Sequence, residues 1–198
     1  MLHLHALSAI APALAYYFSA EGRAAWLALY SEADQTRAAR IWQELAESPV
    51  DLRPHAQAGQ LKPPSIISQL TESRVISRPL GHTAGGLEAS ISEHSATLEV
   101  FARGAEEAEA LGHTTARALQ QARADFLAND YISFELEGLR DLEPHEAAAA
   151  EELGLFIRRL TIRAQAHDTA ARLGTWEQTA GPLSLNIDHR GGRFTPKP

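Results

Sequence analysis

Nine histidines are the side chains of this sequence that most readily suggest metal chemistry. A divalent cation needs three or four ligands close together, usually histidine, cysteine or carboxylate side chains. His3 and His5 could share one face of an extended segment, but no carboxylate lies near them, and the other histidines lack ligand spacing. Cysteine is absent, which excludes a thiolate site, a disulfide and a thiol nucleophile. We therefore predict no metal site.

The segment GHTAGG at positions 81–86 superficially resembles a phosphate-binding loop. It lacks the Lys-Ser/Thr ending of such loops, and a predicted strand follows it where a helix N-terminus would have to hold the phosphate. No serine lies in a nucleophile-elbow pattern. Carboxylates cluster at Glu106, Glu107 and Glu109 and at residues 151–152, in patterns typical of solvated faces. We therefore predict no catalytic residue and no cofactor.

The net charge of the chain limits its partners. The formal charge is −7 and the pI is about 5.7, which disfavours a protein that grips nucleic-acid phosphates over a broad face. A DNA-binding regulator that uses the helices before Pro49 is therefore a weak alternative. Residues 1–20 contain no Asp, Glu, Lys or Arg, but they lack the basic region of a secretory signal and a continuous apolar run of about 18 residues. A buried or partner-facing helix is expected there.

The elements that would position any site are organised around residues 90–143, which have the pattern of a strand, a helix and a strand. Apolar residues fall at every second position through residues 96–102, as in a half-buried strand. Through residues 105–127 they are separated by three or four positions, which places them on one helical face. A turn signal follows at Asn129-Asp130, and the two-residue period resumes through residues 132–136.

Three helices are predicted before this centre. The first is expected to begin near residues 9–11, because Pro12 suits only a first helical turn. The second and third are expected over residues 21–30 and 36–46. Their two tryptophans, which we expect to anchor the core, are Trp26 and Trp42.

Strands are predicted on both sides of the centre. Residues 50–64 are rich in proline and are expected to be a connection, whereas residues 65–78 form a strand with a bulge near residues 71–73. A long loop joins this strand to the strand that begins at residue 90, and the two would pair antiparallel. Residues 143–152 are expected to form a loop or a single helical turn. The last strand covers residues 154–167, with Phe156, Leu160, Ile162, Ala164 and Ala166 facing one way and Arg159, Thr161 and Arg163 facing the other.

These patterns together predict an α+β fold. We expect a mostly antiparallel sheet of about four strands packed with one long helix, preceded by N-terminal helices and followed by an extended C-terminal arm. The corresponding division is a helical segment at residues 1–48, an α+β core at residues 49–170 and an arm at residues 171–198 within a single structural domain. The arm lacks a period and would gain order on a partner or remain a frayed tail.

Six segments, within residues 36–170, carry a resemblance to a known group of proteins. They are Ile41-Trp42-Gln43, Gln69 to Arg74, Arg78 to Gly81, Ala96 to Ala102, Leu139 to Pro144 and Phe156 to Ile162. Together with the order of elements, they resemble the tail terminator and related neck proteins of tailed bacteriophages. The resemblance implies a non-enzymatic virion protein that assembles as a ring, usually a hexamer, at the head-proximal end of the tail tube. The implied partners are copies of itself, the tail tube protein and a neck or connector protein.

A ring requires two different patches on each subunit that recognise each other, and sheet edges and extended tails are natural candidates. The candidate interface residues are Arg74, Arg78, Arg158, Arg159, Arg163, Trp176, Leu183, Leu185 and Ile187. The three arginines from residue 158 to 163 are expected to pair with carboxylates across a subunit interface, with a solvated strand face as the alternative. DNA would pass through the lumen without specific binding, because an acidic wall repels phosphates.

Two other functions remain open at this point. One is another head-to-tail connector piece, such as a stopper or head-completion protein. The other is a small α+β enzyme with an unrecognised site, which would require the strands to bring together groups such as His94, Glu99 and Arg163 around a pocket.

Overall fold

The computed structural model describes residues 2–55, 62–77, 83–84, 87–129 and 131–171. The helices are α1 (Leu2–Tyr17), α2 (Arg23–Leu27), α3 (Gln35–Glu47), α4 (Ala105–Gln121), α5 (Arg123–Ala128) and α6 (Pro144–Glu152). The strands are β1 (Asp51–Pro54), β2 (Ser65–Ser77), β3 (Thr83–Ala84), β4 (Leu87–Ala102), β5 (Tyr131–Asp141) and β6 (Phe156–Ala171). The α+β fold class predicted from the sequence is confirmed.

The strands form one sheet in the order β1-β2-β4-β6-β5, and β3 pairs with the beginning of β4. The pairs β2–β4, β4–β6 and β5–β6 are antiparallel, whereas β1 runs parallel to β2. The predicted bulge in β2 is confirmed, because the register with β4 shifts between Leu70 and Glu72. The two longest strands, β4 and β6, lie side by side in the middle of the sheet over their full length of 16 residues.

Helices α1 and α4 cover one face of this sheet. The main core combines Ile10 and Leu14 of α1, Leu111 and Leu119 of α4 and the inward residues of the strands, of which Leu98 is fully buried. Gly112 allows α4 to lie close to β5, since a Cβ atom there would come within 2.9 Å of the Leu139 side chain. The core is therefore a two-layer arrangement of helices on a sheet.

Helix α1 begins earlier than the sequence predicts. It starts at Leu2 and keeps Pro12 in its interior, whereas the proline had suggested a start near residues 9–11. Proline in a helix interior removes one backbone hydrogen bond and costs about 3 kcal/mol. Leu2, Ala6 and Ile10 are almost fully buried, and their burial offsets that cost. The first turns of α1 thus belong to the core.

Several other boundaries differ from the prediction. α2 covers Arg23–Leu27 instead of residues 21–30, and β6 continues to Ala171 instead of ending at residue 167. Residues 51–54, expected to be a connection, form β1, because the segment leads into the sheet beside β2 and its backbone pairs there. Helix α6 spans nine residues, more than a single turn, and a capping box between Glu143 and Glu146 with Pro144 in the first turn accounts for it. The long central helix is divided at Ala122 into α4 and α5.

The second core cluster lies under α2 and α3 and contains the two tryptophans. Trp26 is fully buried, and its indole N–H donates to Thr114 Oγ1 at 3.0 Å. Trp42 is half-buried and donates to the carbonyl oxygen of Tyr17 at 2.8 Å. Their expected role as core anchors is confirmed. Among the described residues, no helix is long and apolar enough to span a membrane.

One carboxylate predicted to be solvated is buried. Glu107, in the first turn of α4, accepts hydrogen bonds from the Arg103 backbone N–H at 2.7 Å and from its guanidinium at 2.6 Å. An acidic group near a helix N-terminus is favoured by the helix dipole, and a buried charge requires such partners. Glu106 remains exposed and pairs with Arg37 and Arg40 of α3.

Candidate subunit interface

The sheet face that α1 and α4 leave uncovered carries most of the described candidate residues. Because side chains alternate along a strand, the buried Leu98, Leu160 and Ile162 point towards the helices, whereas Glu99 and Arg159 point away. We call this second surface the open face. By register it includes Gln69, Glu72 and Arg74 of β2, Ser95, Thr97 and Glu99 of β4, and Arg159, Thr161, Arg163 and Gln165 of β6. Four residues on this face are buried: Ser65, Ile67 and Phe101 at one end of the sheet, and Ser95 on β4.

Arg159 lies at the centre of an ion-pair network on the open face. Its guanidinium donates to Glu99 at 2.9 Å on the neighbouring strand and to Glu146 of α6 at 3.4 Å. Partial burial lowers the pKa of Arg159, but the hydrogen bond and charge of Glu99, with those of Glu146, outweigh it and raise the pKa above its ordinary value. The backbone N–H of Glu143, followed by the charge of Arg159, lowers the pKa of the Glu146 carboxyl. The network ties α6 to the sheet.

Arg163 lies four residues further along the same strand and pairs with Glu137 at 2.7 Å. Glu137 also lies 3.8 Å from Arg140. The position of Glu137 depends on a bulge in β5, where the register shifts between Leu136 and Gly138. Gly138 has a φ of 107°, a conformation that favours glycine.

The other two described candidates have different surroundings. Arg74 of β2 is exposed and pairs with Glu93 on β4 at 3.2 Å. Arg158 is on the helix side of β6, opposite Val100, and pairs with Asp141 at the end of β5. Because side chains alternate along β6, Arg158 lies on the opposite face from Arg159 and Arg163.

All four described arginine candidates thus pair with carboxylates of their own chain. For Arg158, Arg159 and Arg163 the sequence had suggested pairs across an interface, with a solvated strand face as the alternative. Sequence reasoning missed the partner carboxylates Glu99, Glu137 and Glu146. The one available signal was the position of Glu99 in the alternating segment 96–102, which assigns it to the outward face. The other candidates lie outside the described residues, and these are Arg78, Trp176, Leu183, Leu185 and Ile187.

The central strands extend beyond the helical layer. Among the described side chains, the buried residue on the helix side of β4 that lies nearest the beginning of the strand is Ser92, which is opposite Ala166. Five further residue pairs follow, from Ile91 with His167 to Leu87 with Ala171. β2 continues beside them to Ser77. We call this three-stranded extension, residues 75–77, 87–91 and 167–171, the projecting arm.

No described side chain of the projecting arm belongs to either core cluster. Two of its aliphatic side chains are exposed, with Val75 at 49% and Ile76 at 42% of their full accessible area. Ile76 is the extra residue of a second bulge, because the register with β4 shifts between Val75 and Ser77. Among its described side chains, the arm thus presents the exposed Val75 and Ile76, which belong to neither core cluster.

The two outer edges of the sheet are formed differently. β5 has β6 as its single partner among the described strands, so no described strand covers its outer edge over residues 133–141, and Ile132 is exposed. The bulge at Gly138 twists part of this edge, a feature that discourages strand addition. The opposite edge is formed by β1 for four residues and by β2 beyond them.

The residues considered for enzymatic chemistry do not converge. His94 and Glu99 lie on opposite faces of β4, and His94 contacts the Ser73 hydroxyl at 2.9 Å. Arg163 is opposite Ser95, four residues from Glu99, and has Glu137 as its partner. Within the described ranges, no three His, Cys, Asp or Glu side chains are grouped as metal ligands.

The first two histidines of the chain are placed in α1 and not in an extended segment. His5 stacks on Phe126, with ring centroids 4.4 Å apart, and lies beside Tyr131. Burial, followed by the charge of the chain's N-terminal amino group, lowers the pKa of His3 and of His5. His5 is therefore a packing residue between α1, α5 and β5.

A groove of about 570 Å³ lies between α4 and the segment from α2 to α3. Acidic and basic side chains both line it, including Glu106, Arg37 and Arg117. At its base, burial and the charge of Glu109 raise the pKa of the Tyr30 hydroxyl to about 12, against a lowering hydrogen bond with Thr114. Tyr30 is thus a neutral donor at physiological pH.

Comparison with protein-family models gives no match, and comparison with curated protein sequences gives none either.

Proposed function

We propose that this chain is a non-enzymatic structural subunit of a phage virion that forms a ring, most simply a hexamer, at the head-proximal end of a tail tube. Such a ring would terminate the tail and join it to the neck. The proposal starts from the resemblance of residues 36–170 to tail terminator and neck proteins. The single structural observation that supports it best is the projecting arm.

The arm is costly for an isolated subunit. Ordering each residue of a chain costs about 1–2 kcal/mol of conformational free energy, and that cost is normally offset by burial. Val75 and Ile76 remain exposed, and the edge of β2 beyond β1 is uncovered among the described strands. A neighbouring subunit that packs against the arm would supply the missing burial.

A closed ring also needs a second patch that differs from the first. The outer edge of β5 lies on the other side of the sheet from β2, because the strand order is β1-β2-β4-β6-β5. The two edges therefore face in opposite directions within the sheet. A head-to-tail contact between the arm of one subunit and the β5 side of the next would repeat around a ring.

The charge of the protein fits a lumen through which DNA slides. A net charge of −7 disfavours tight contact with phosphates. The arginines of the open face are neutralised within the subunit, notably Arg159 by Glu99 and Glu146 and Arg163 by Glu137. Arginines held in this way would not capture passing DNA.

Mass photometry of the full chain, alone and with tail tube protein, tests the proposal. We expect a closed ring, with six subunits for a tail terminator, whereas twelve subunits and binding to portal instead of tube would favour a connector nearer the portal. A chain that stays monomeric at micromolar concentration, with or without tube protein, would contradict the proposal.

A pair of matched variants locates the contact. The double variant Val75→Asp with Ile76→Asp should convert the ring to monomers, because it places two charges on the exposed aliphatic surface of the arm. Leu127→Asp is the control, since Leu127 is exposed to a similar degree, 44%, on α5. If the ring persists in the Val75→Asp, Ile76→Asp variant but is lost in Leu127→Asp, the subunit contact does not involve the projecting arm.

A further inference from the structure

A second groove, of about 210 Å³, lies where α6 packs over the beginning of β6 and the first turn of α4. Small and apolar side chains form most of its lining, and these are Ala105, Ala108, Ala147, Ala150, Leu155 and Phe156. Phe156 is half-buried although it is a large aromatic residue, and Leu153 beside the groove is 76% exposed. We call this surface the α6 groove.

The charged residues that line the α6 groove are Asp141, Glu151 and Arg158, and Arg158 pairs with Asp141, so the rim is acidic on balance. Residues 141–152 contain five Asp and Glu residues and no Lys or Arg. Two of the five are paired with arginines of β6, namely Asp141 and Glu146. Glu151 and Glu152 are exposed at the end of α6 and form no ion pair within the described residues. The groove therefore combines an apolar floor with uncompensated negative charge.

The sequence after β6 has the complementary composition. Apolar residues alternate with polar ones at Leu183, Leu185 and Ile187. Beyond Asp188 there is no further acidic residue, and the basic residues are Arg190, Arg193 and Lys197. An apolar segment followed by a basic one matches an apolar floor with an acidic rim.

We propose that the α6 groove of one subunit receives residues 183–198 of a second copy of this chain, with Leu183, Leu185 and Ile187 on the apolar floor and the basic residues beside Glu151 and Glu152. The inference rests on the proposed ring and adds a second contact between neighbouring subunits.

The geometry of β6 favours a second copy over the chain's own tail. The α6 groove lies at the Phe156 end of β6, and the tail leaves from the Ala171 end. At about 3.3 Å per residue these two ends are roughly 50 Å apart. The chain from Ala171 to Leu183 spans at most about 40 Å when fully extended, so Leu183 does not reach the groove of its own subunit.

Disulfide trapping tests this proposal directly, because the chain has no cysteine of its own. Ala147→Cys on the exposed side of α6 is combined with Ser184→Cys, and the full chain is oxidised and run on a non-reducing gel. We expect a ladder of covalent dimers and higher multimers. The matched control pairs Ser184→Cys with Ser8→Cys on the exposed side of α1 and should give no ladder.

Charge exchange gives a second readout on the same trapped pair. Arg190→Glu, Arg193→Glu and Lys197→Glu together should lower the yield of the ladder about tenfold at low salt, because three positive charges beside Glu151 and Glu152 become negative. Adding Glu151→Lys and Glu152→Lys should restore it. Restoration would require the basic tail and the end of α6 to meet.

The outcomes separate this inference from the proposed function. A ring in mass photometry without a disulfide ladder overturns the tail contact and leaves the ring intact. A disulfide confined to the monomer band also overturns it, since the tail would then fold back on its own subunit. A protein that is monomeric in mass photometry and gives no disulfide ladder overturns both the tail contact and the proposed ring.

Discussion

Replacement of Phe126 by alanine should cost this protein about 4–5 kcal/mol of unfolding free energy. Phe126 is fully buried where α1, α5 and β5 meet. Its ring stacks on Phe134 at 4.1 Å and on His5 at 4.4 Å, and it meets the edge of Tyr131 at 5.7 Å. A buried Phe→Ala change costs about 3–5 kcal/mol from lost transfer free energy and the cavity left behind. Each aromatic pair adds about 0.5–1.5 kcal/mol, which places this site at the upper end.

Urea unfolding followed by tryptophan fluorescence measures the loss. With an m-value of about 2 kcal/mol/M, the midpoint should fall by roughly 2 M urea. Leu127→Ala is the matched control, because the neighbouring side chain is exposed and should change stability by less than about 0.5 kcal/mol. All variants are compared at one protein concentration, since assembly contributes to apparent stability.

Two results would refute this reasoning. A Phe126→Ala protein within about 1 kcal/mol of wild type would mean that the cluster collapses around the cavity or does not join the three elements. A larger loss for Leu127→Ala than for Phe126→Ala would mean that the buried and exposed faces of α5 are assigned wrongly. If the alanine variant does not fold, Phe126→Leu should still lose about 1–1.5 kcal/mol.

Three further predictions follow from single contacts. Burial lowers the pKa of His5 below 6.5, so the unfolded chain binds more protons there than the folded chain. The free energy of unfolding should therefore fall as the pH drops below about 6.5. His5→Gln should reduce this fall, measured by urea titrations at pH 7.5 and 5.5. Glu107→Gln should lower the free energy of unfolding by about 2–3 kcal/mol, because it weakens the hydrogen bonds that the buried carboxylate accepts from the Arg103 backbone and guanidinium. Glu109→Gln, at an exposed position, should have no effect in the same assay. Gly22→Ala should lower the melting temperature by several degrees, because its Cβ would overlap the carbonyl oxygen of Tyr16.

The sheet was predictable from the sequence where one face is buried. The two-residue period of β4 and β6 and the bulge in β2 follow from side-chain alternation. The antiparallel pairing of β2 with β4 was predicted because the two strands follow each other in the sequence. β1 could not be predicted in this way. Its four residues include Pro54 and are all half-buried, so neither periodicity nor propensity identifies them, and the pairing with β2 alone makes them a strand.

The interface candidates show a similar limit. Alternation correctly places Arg159 and Arg163 on the outward face, but their partners come from other elements: Glu146 from α6 and Glu137 from a bulge in β5. Such ion pairs depend on the register between strands and on packing between elements. Neither can be deduced from the spacing of residues along one strand. Glu107 illustrates the same point, because its burial depends on how α4 is oriented and not on its neighbours in the sequence.

The position of β6 has a consequence for how the molecule is made. β6 lies between β4 and β5, yet it is the last of the described strands to be synthesised. Until β6 has been synthesised, no strand lies between β4 and β5, and the apolar residues of α4 that pack against β6 in the folded protein remain exposed. Pairing that closes over such long sequence separations is slow. The nascent polypeptide therefore completes its sheet only after β6 has emerged from the ribosome, and earlier truncated products would be prone to aggregation.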